Sequence, residues 1–200
     1  MAKYTGPKVK LSRRLGIALT PKAQKYMERK PYPPGQHGPN KRRRRPSNYG
    51  RQLLEKQRLK AQFNVGERYL RRIFREASRR KGSTGEVLVS LLERRIDALV
   101  LRAGLARTIY QARQAVSHGH ILLNGKRCDR PSAWLRPGDR LAVRSKSRRI
   151  PCFNQPRTAT VPDYLRLVED GYGAELSAIP QRGEIPVICD ERLVVEFYSR

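Results

Sequence analysis

Apolar residues recur at helical spacing through much of the first half of the chain. Ser47 can cap a helix that carries Leu53, Leu54 and Leu59 and runs to about Gln62. A second predicted helix starts near Glu67. It places Tyr69, Leu70, Ile73, Phe74 and Ala77 on one face, with Arg71, Arg72, Arg75, Arg79 and Arg80 outside that stripe. Gly82 reads as its left-handed stop. Ser83 and Glu86 then have capping-box spacing. They predict one continuous helix with Val87, Leu88, Leu91, Leu92, Ile96, Leu99 and Val100, ending near Gly104. Thr108 and Gln111 repeat the box before a short helix with Ala112, Ala115 and Val116, which Gly119 ends.

After Gly119 the period changes. Ile121-Leu122-Leu123 leads into Asn124-Gly125, a pair suited to the two positive-φ positions of a type I′ hairpin turn. Pro137-Gly138-Asp139 predicts a second turn, between Ala133–Arg136 and Arg140–Arg144. Two helices followed by short strands predict a compact unit over about 92–150. Beyond it, Pro162-Asp163-Tyr164 is expected to begin a short helix to about Glu169, and Leu193–Tyr198 reads as a short strand. That last segment is too apolar for a free tail and should pack on something earlier. At the other end, residues 1–46 read as irregular, because Pro31, Pro33 and Pro34 with Gly35 and Gly38 break any helix.

Charge changes this picture from a fold to a partner. The 200 residues hold 44 Lys+Arg against 17 Asp+Glu, a net charge of +27. An isolated domain gains nothing from that self-repulsion; a phosphate backbone compensates it and releases counterions. The charge is uneven. Residues 1–60 carry 18 cations and 2 acids, residues 61–150 carry 21 and 7, and residues 151–200 carry 5 and 8. The acidic tail should therefore face the basic body or a protein partner, and not RNA. No apolar run is long enough to span a bilayer, so no membrane role is expected. The first twenty residues lack the apolar stretch of a signal peptide, and Ser12 is their one serine, which argues against a transit peptide. Cys128, Cys152 and Cys189 are scattered and odd in number, as in a reducing compartment. His118 and His120 have no further ligands to complete a tetrahedral set, so neither metal nor cofactor is expected.

Two stretches carry candidate chemistry. Lys41, Arg42, Arg43, Arg44 and Arg45 form an unbroken cationic run, with Tyr32, His37 and Tyr49 nearby as rings that could stack on bases. Read alone, an exposed flexible linker is the lesser alternative for the run. The second stretch runs from Gln111 to Lys126: a capped basic helix, a glycine stop, and a strand whose tight turn carries cations. Arg107, Arg113, Lys126 and Arg127 are candidate phosphate contacts; Gln111, His118, His120 and Asn124 can bond 2′-hydroxyls or base edges. Turn stabilisation is the plainer role for the two histidines. Arg71 and Arg72, on the open face of their helix, complete the RNA-binding set.

This second stretch, with Leu92-Glu93-Arg94-Arg95-Ile96-Asp97 before it, resembles the RNA-binding module named after small-subunit ribosomal protein four. The likeness extends over nearly the whole chain. Met1–Pro7, Arg29–Gly38, Glu55–Leu59 and Val195–Arg200 resemble the start, proline-glycine segment, first helix and terminus of that family, in its bacterial or organellar type. The resemblance implies an α+β fold: a helical domain completed by the C-terminal segment, with the compact ααβ-hairpin module inserted. In this chain that maps to an irregular basic segment over 1–41, a mainly helical split domain over 42–91 plus 151–200, and the module over 92–150. It also implies binding to the 5′ domain of 16S-type rRNA, nucleation of the subunit body, and a position near the channel through which messenger RNA enters. Small-subunit proteins five and twelve are implied as partners in decoding accuracy, and repression of its own mRNA is a family property. A cytoplasmic ribosome is the implied location. Many members bind zinc through four N-terminal cysteines; Val9 and Ser12 stand at the first pair here, so the zinc site does not carry over.

Catalysis has little support. Glu93 and Asp97 are spaced like an acid–base pair, but a salt-bridged role among the arginines fits better. An RNA-modifying enzyme such as a pseudouridine synthase can carry the same module, yet fifty residues after it cannot supply a catalytic sheet domain. A general DNA-compacting protein is the third reading.

Overall fold

The computed structural model describes residues 4–39, 46–154, 160–168 and 170–199. The cationic run Lys41–Arg45 lies outside the described residues. The chain divides into two compact units, residues 1–85 with 187–200, and residues 86–186.

The first unit is helical: α1 (Lys8–Leu15), α2 (Pro21–Arg29), α3 (Asn48–Gln62), α4 (Glu67–Ser78) and, from the other end of the chain, α8 (Glu191–Tyr198). The first two correct the irregular N-terminus expected from the prolines. Those prolines lie beyond α2, while α2 itself has Thr20 Oγ1 accepting from Ala23 N at 3.2 Å and Pro21 at its first position, where proline fits a helix. Gly16, at φ 70°, closes α1. As predicted, Ser47 Oγ caps α3 by accepting from Gly50 N at 3.1 Å. The α4 helix buries Leu70, Ile73 and Ala77 and leaves Arg71, Arg72 and Arg75 exposed, and it ends at Ser78, short of Gly82.

The C-terminal segment read as a strand is the helix α8. Its alternation is too short to decide the period, and Asp190 Oδ1 caps it by accepting from Arg192 N at 3.0 Å. Val194 is fully buried, and Phe197 and Tyr198 meet the rings of Tyr49 and Phe74 at 5.9 and 5.0 Å. Polar contacts fix the docking. Gln52 Nε2 donates to Glu196 at 2.8 Å, Tyr198 OH donates to Glu67 at 2.8 Å, and Lys56 Nζ lies 4.2 Å from the Phe197 ring centre.

The second unit takes up most of α5 (Thr84–Glu93), then α6 (Ile96–Arg102), α7 (Ile109–Ser117) and a five-stranded antiparallel sheet. The continuous helix expected to Gly104 breaks at Arg94-Arg95. There Leu135 N donates to Arg94 O, and Ile96 N donates to Ala133 O, both at 2.9 Å. Backbone groups that would continue the helix are taken by residues 133–135, and Arg95 is extended at ψ 142°.

The strands are β1 (Ile121–Leu123), β2 (Lys126–Cys128), β3 (Arg140–Val143), β4 (Leu165–Leu167) and β5 (Gly173–Leu176), in the order β2-β1-β3-β5-β4. Asn124 and Gly125 have φ of 49° and 79°, so the β1–β2 turn is the predicted one. The expected helix after Pro162 is instead β4. It pairs with β5, and β5 pairs with β3 through Leu141↔Ala174. This covers the edge that β3 would otherwise expose. Gly173 is needed there: a Cβ would lie 2.8 Å from the Leu141 carbonyl oxygen. Residues 151–186 thus fall in the same compact unit as the module, and 187–200 with the helices, whereas the sequence reading assigned 151–200 as one piece to the helical domain. Among the described residues no helix is long and apolar enough to cross a membrane.

Candidate nucleic-acid interface

In the second unit the candidate residues gather where α7 turns into β1 and its hairpin. Thr108 Oγ1 caps α7 by accepting from Gln111 N at 3.2 Å, and Gln111 Oε1 reaches back to accept from Arg107 N at 2.8 Å. Gln111 is therefore engaged in holding the helix start, while the Arg107 side chain stays exposed. At the other end of α7, Gly119 has φ 72° and is covered by the Arg127 guanidinium, so that a Cβ there would collide with it. The rings of His118 and His120 are 5.9 Å apart. Arg144 N donates to His120 O at 2.8 Å. Exposed His118, Arg127 and Arg144 thus converge on the Gly119-His120 backbone. Lys126 is exposed beside Arg127 on β2.

Three candidates are engaged by the protein itself. His120 Nδ1 lies 3.0 Å from Ser147 Oγ, and its ring packs edge-on to Phe153 at 6.2 Å. Asn124 spans the two turns: its Nδ2 donates to Asp139, and its Oδ1 accepts from Arg140 N, both at 2.8 Å. Arg113 is the most buried of the three, with its guanidinium 3.9 Å from Asp97 Oδ2. A helix position seen only as "basic" carries no sign of which way it faces until α6 supplies the acid.

In the first unit Arg71 and Arg72 are exposed on α4, with the Arg72 guanidinium 4.9 Å from the Tyr69 ring centre. Tyr32 is half-buried beneath Arg13, which lies 5.0 Å from the ring centre and donates to the Tyr32 carbonyl. His37 is exposed, next to a Gly38 whose Cα abuts the Pro33 carbonyl too closely for any side chain.

Sequence reasoning gave Glu93 and Asp97 a salt-bridged role among the arginines but missed that both are buried in the second unit. Glu93, fully buried, accepts from Arg102 Nε at 2.6 Å and from Tyr164 OH at 2.9 Å. Asp97, also fully buried, accepts from Arg95 Nε at 2.9 Å and from Ala98 N at 3.0 Å. Burial pushes the Asp97 carboxyl up, against the pull of Arg95 and Arg113. Burial, and then the charge of Glu93, push the Tyr164 phenol far up, so it stays a donor. Both acids have donors and no open face, which suits structure and not acid–base chemistry. The available clue was two acids kept inside a strongly basic run. Among the described residues no group of three or more His, Cys, Asp or Glu is placed to hold a metal. None of the three cysteines is in a disulfide.

Residues 3–93 match the ribosomal protein S4/S9 N-terminal domain, and residues 94–141 match the S4 domain. Over the full length of both chains, the sequence is 53% identical to small ribosomal subunit protein uS4 of Streptomyces avermitilis and 52% identical to that of Streptomyces coelicolor. The same protein of Geobacillus kaustophilus is 48% identical, again over both full lengths. The likeness covers the helical first unit and the hairpin-bearing second alike, and the chain belongs to the uS4 family of small ribosomal subunit proteins.

Proposed function

We propose that this chain is a structural, non-catalytic constituent of the small ribosomal subunit that holds 16S-type rRNA. The observation that carries the reading is the exposed set His118 at the end of α7, Lys126 and Arg127 on β2, and Arg144 just after β3, gathered about the Gly119-His120 backbone. Such a set bonds phosphates and 2′-hydroxyls without needing to read a groove. The target is the 5′ domain of the rRNA, bound early so that the subunit body nucleates on it. In the assembled subunit the protein lies near the channel through which messenger RNA enters and, with small-subunit proteins five and twelve, contributes to decoding accuracy. The ribosome concerned is cytoplasmic, and the protein's own messenger is a further RNA target.

The test is competition at fixed salt between 5′-domain RNA, unrelated structured RNA and duplex DNA. Preference for the 5′ domain is expected. Equal affinity for all three would replace this reading with that of a general polyanion binder. Co-sedimentation with small subunits after a high-salt wash checks the location.

A further inference from the structure

Trp134 is the one tryptophan in the 200 residues, and it is 37% exposed. A large ring usually covers itself in a core; this one is held open by its backbone. Its neighbours Ala133 and Leu135 bond to Ile96 and Arg94, Trp134 itself bridges to Arg95, and both Leu135 and Arg95 are buried. The indole therefore stands on a fixed base, although it lies in no helix or strand. Among the described residues no ring or cation stacks on it, and its N–H donates to none of them.

The surroundings are cationic. Arg130 and Arg136 are exposed on either side of Trp134 in sequence, and neither is ion-paired among the described residues. Arg94 is close as well, its Nε donating to Leu135 O at 2.9 Å. Two acids lie nearby. Asp139 Oδ2 accepts from Arg136 N at 2.6 Å, and exposed Asp129 offsets one of the cations.

We propose that Trp134 is a stacking platform for an unpaired nucleobase, with Arg130 and Arg136 taking the flanking phosphates. The proposal rests on the RNA-holding reading and adds a site to it that lies outside the Gln111–Lys126 stretch. An exposed indole, with an exposed arginine four residues before it and another two residues after it, offers the groups that one nucleotide needs: a π-surface and cations for its phosphates. An apolar protein partner would cover the ring but leave both arginines uncompensated. Because the backbone that carries the ring is already fixed, stacking has only the side chain to order.

The experiment uses the full chain and its own fluorescence, which comes from this tryptophan together with the tyrosines and can be excited selectively. Two probes of equal length and charge are titrated at low salt: a short oligouridine and an abasic oligonucleotide. Binding of each is followed separately by anisotropy of an end label. Both should bind, and only the uridine oligomer should strongly quench Trp134. Trp134→Ala should weaken uridine binding about 5- to 150-fold, the equivalent of about 1–3 kcal/mol per stacked base, and leave abasic binding unchanged. Trp134→Phe, which keeps a π-face, should stay within about threefold of the parent. The quenching measurement needs no variant, so a misfolded Trp134→Ala does not shield the idea. Binding of both probes with the same fluorescence response overturns the platform and leaves the RNA reading standing. Failure of both to bind overturns the platform alone, since the RNA reading is tested separately by the competition between 5′-domain RNA and other nucleic acids.

Discussion

Asn124 illustrates how a residue suited to RNA can be occupied by the fold instead. It sits at φ 49°, and its amide links Asp139 to the Arg140 backbone. Asn124→Ala should lower stability by roughly 1–3 kcal/mol, because the Arg140 N–H loses its acceptor and alanine tolerates positive φ poorly. A thermal melt measures this. RNA affinity of the folded fraction should not change; a large drop would restore Asn124 as a direct contact. Lys126 and Arg127 have the opposite character, exposed and without an acid partner among the described residues. Replacing both by Ala should reduce the slope of log affinity against log salt by about 1.4–1.8, at roughly 0.7–0.9 per phosphate. An unchanged slope would mean that neither touches phosphate.

Among the elements, α8 is the most consequential for the helical unit. It brings Val194, Phe197 and Tyr198 onto α3 and α4. Val194, fully removed from water, stabilises by about 1.5–3 kcal/mol, and the half-buried Phe197 and Tyr198 add a part of that each, against a typical total of about 5–15 kcal/mol. Truncation after Pro186 should therefore strip amide-exchange protection from α3 and α4 and leave the β1–β5 sheet protected. Persistent protection of α3 would show that α8 is not part of that core. Truncation after Ile150 does something different from what a purely helical tail would do. It removes β4, β5 and Tyr164 too, uncovering the β3 edge and depriving buried Glu93 of a donor.

The α8 contact is also acid-sensitive. Burial raises the Glu67 carboxyl, but the hydrogen bonds from Tyr198 and Lys56 and the charges of Lys56 and Lys60 outweigh it and hold it below its ordinary value. A folded value below the unfolded one adds stability above the unfolded value, and loses it as pH falls through the folded one. Acid titration of α8 protection should follow that direction, and Glu67→Gln should flatten it. An unaltered titration in the variant would remove Glu67 from the linkage.

For the molecule as a whole, the net charge of +27 makes salt the natural probe. The run Arg42–Arg45 belongs to this level, because phosphate contacts act together and carry no sequence information directly. Changing all four to Ala should lower the salt slope by about 3, at roughly 0.7–0.9 per phosphate. Binding to unrelated RNA should weaken in parallel. Filter binding across a salt series distinguishes this from a merely solvated run, which would leave the slope where it was.

Much of the architecture was legible from local signals. Ser47 and Thr108 cap their helices through hydrogen bonds confined to a few residues, and Asn124-Gly125 sets its own turn, so α3, α7 and the β1–β2 hairpin follow from neighbours in the chain. The α4 stripe follows from its period, and the expectation of a phosphate-bearing partner from the charge. Tertiary structure decided whatever depends on a distant group. The helix breaks at Arg94-Arg95 because residues 133–135 take its backbone bonds, and β4 and β5 are strands because β3 offers an open edge. Arg113 and His120 face inward because Asp97, Ser147 and Phe153 wait there. A cation's type is written in the sequence; whether it meets an acid inside or a phosphate outside depends on contacts that only the folded chain creates.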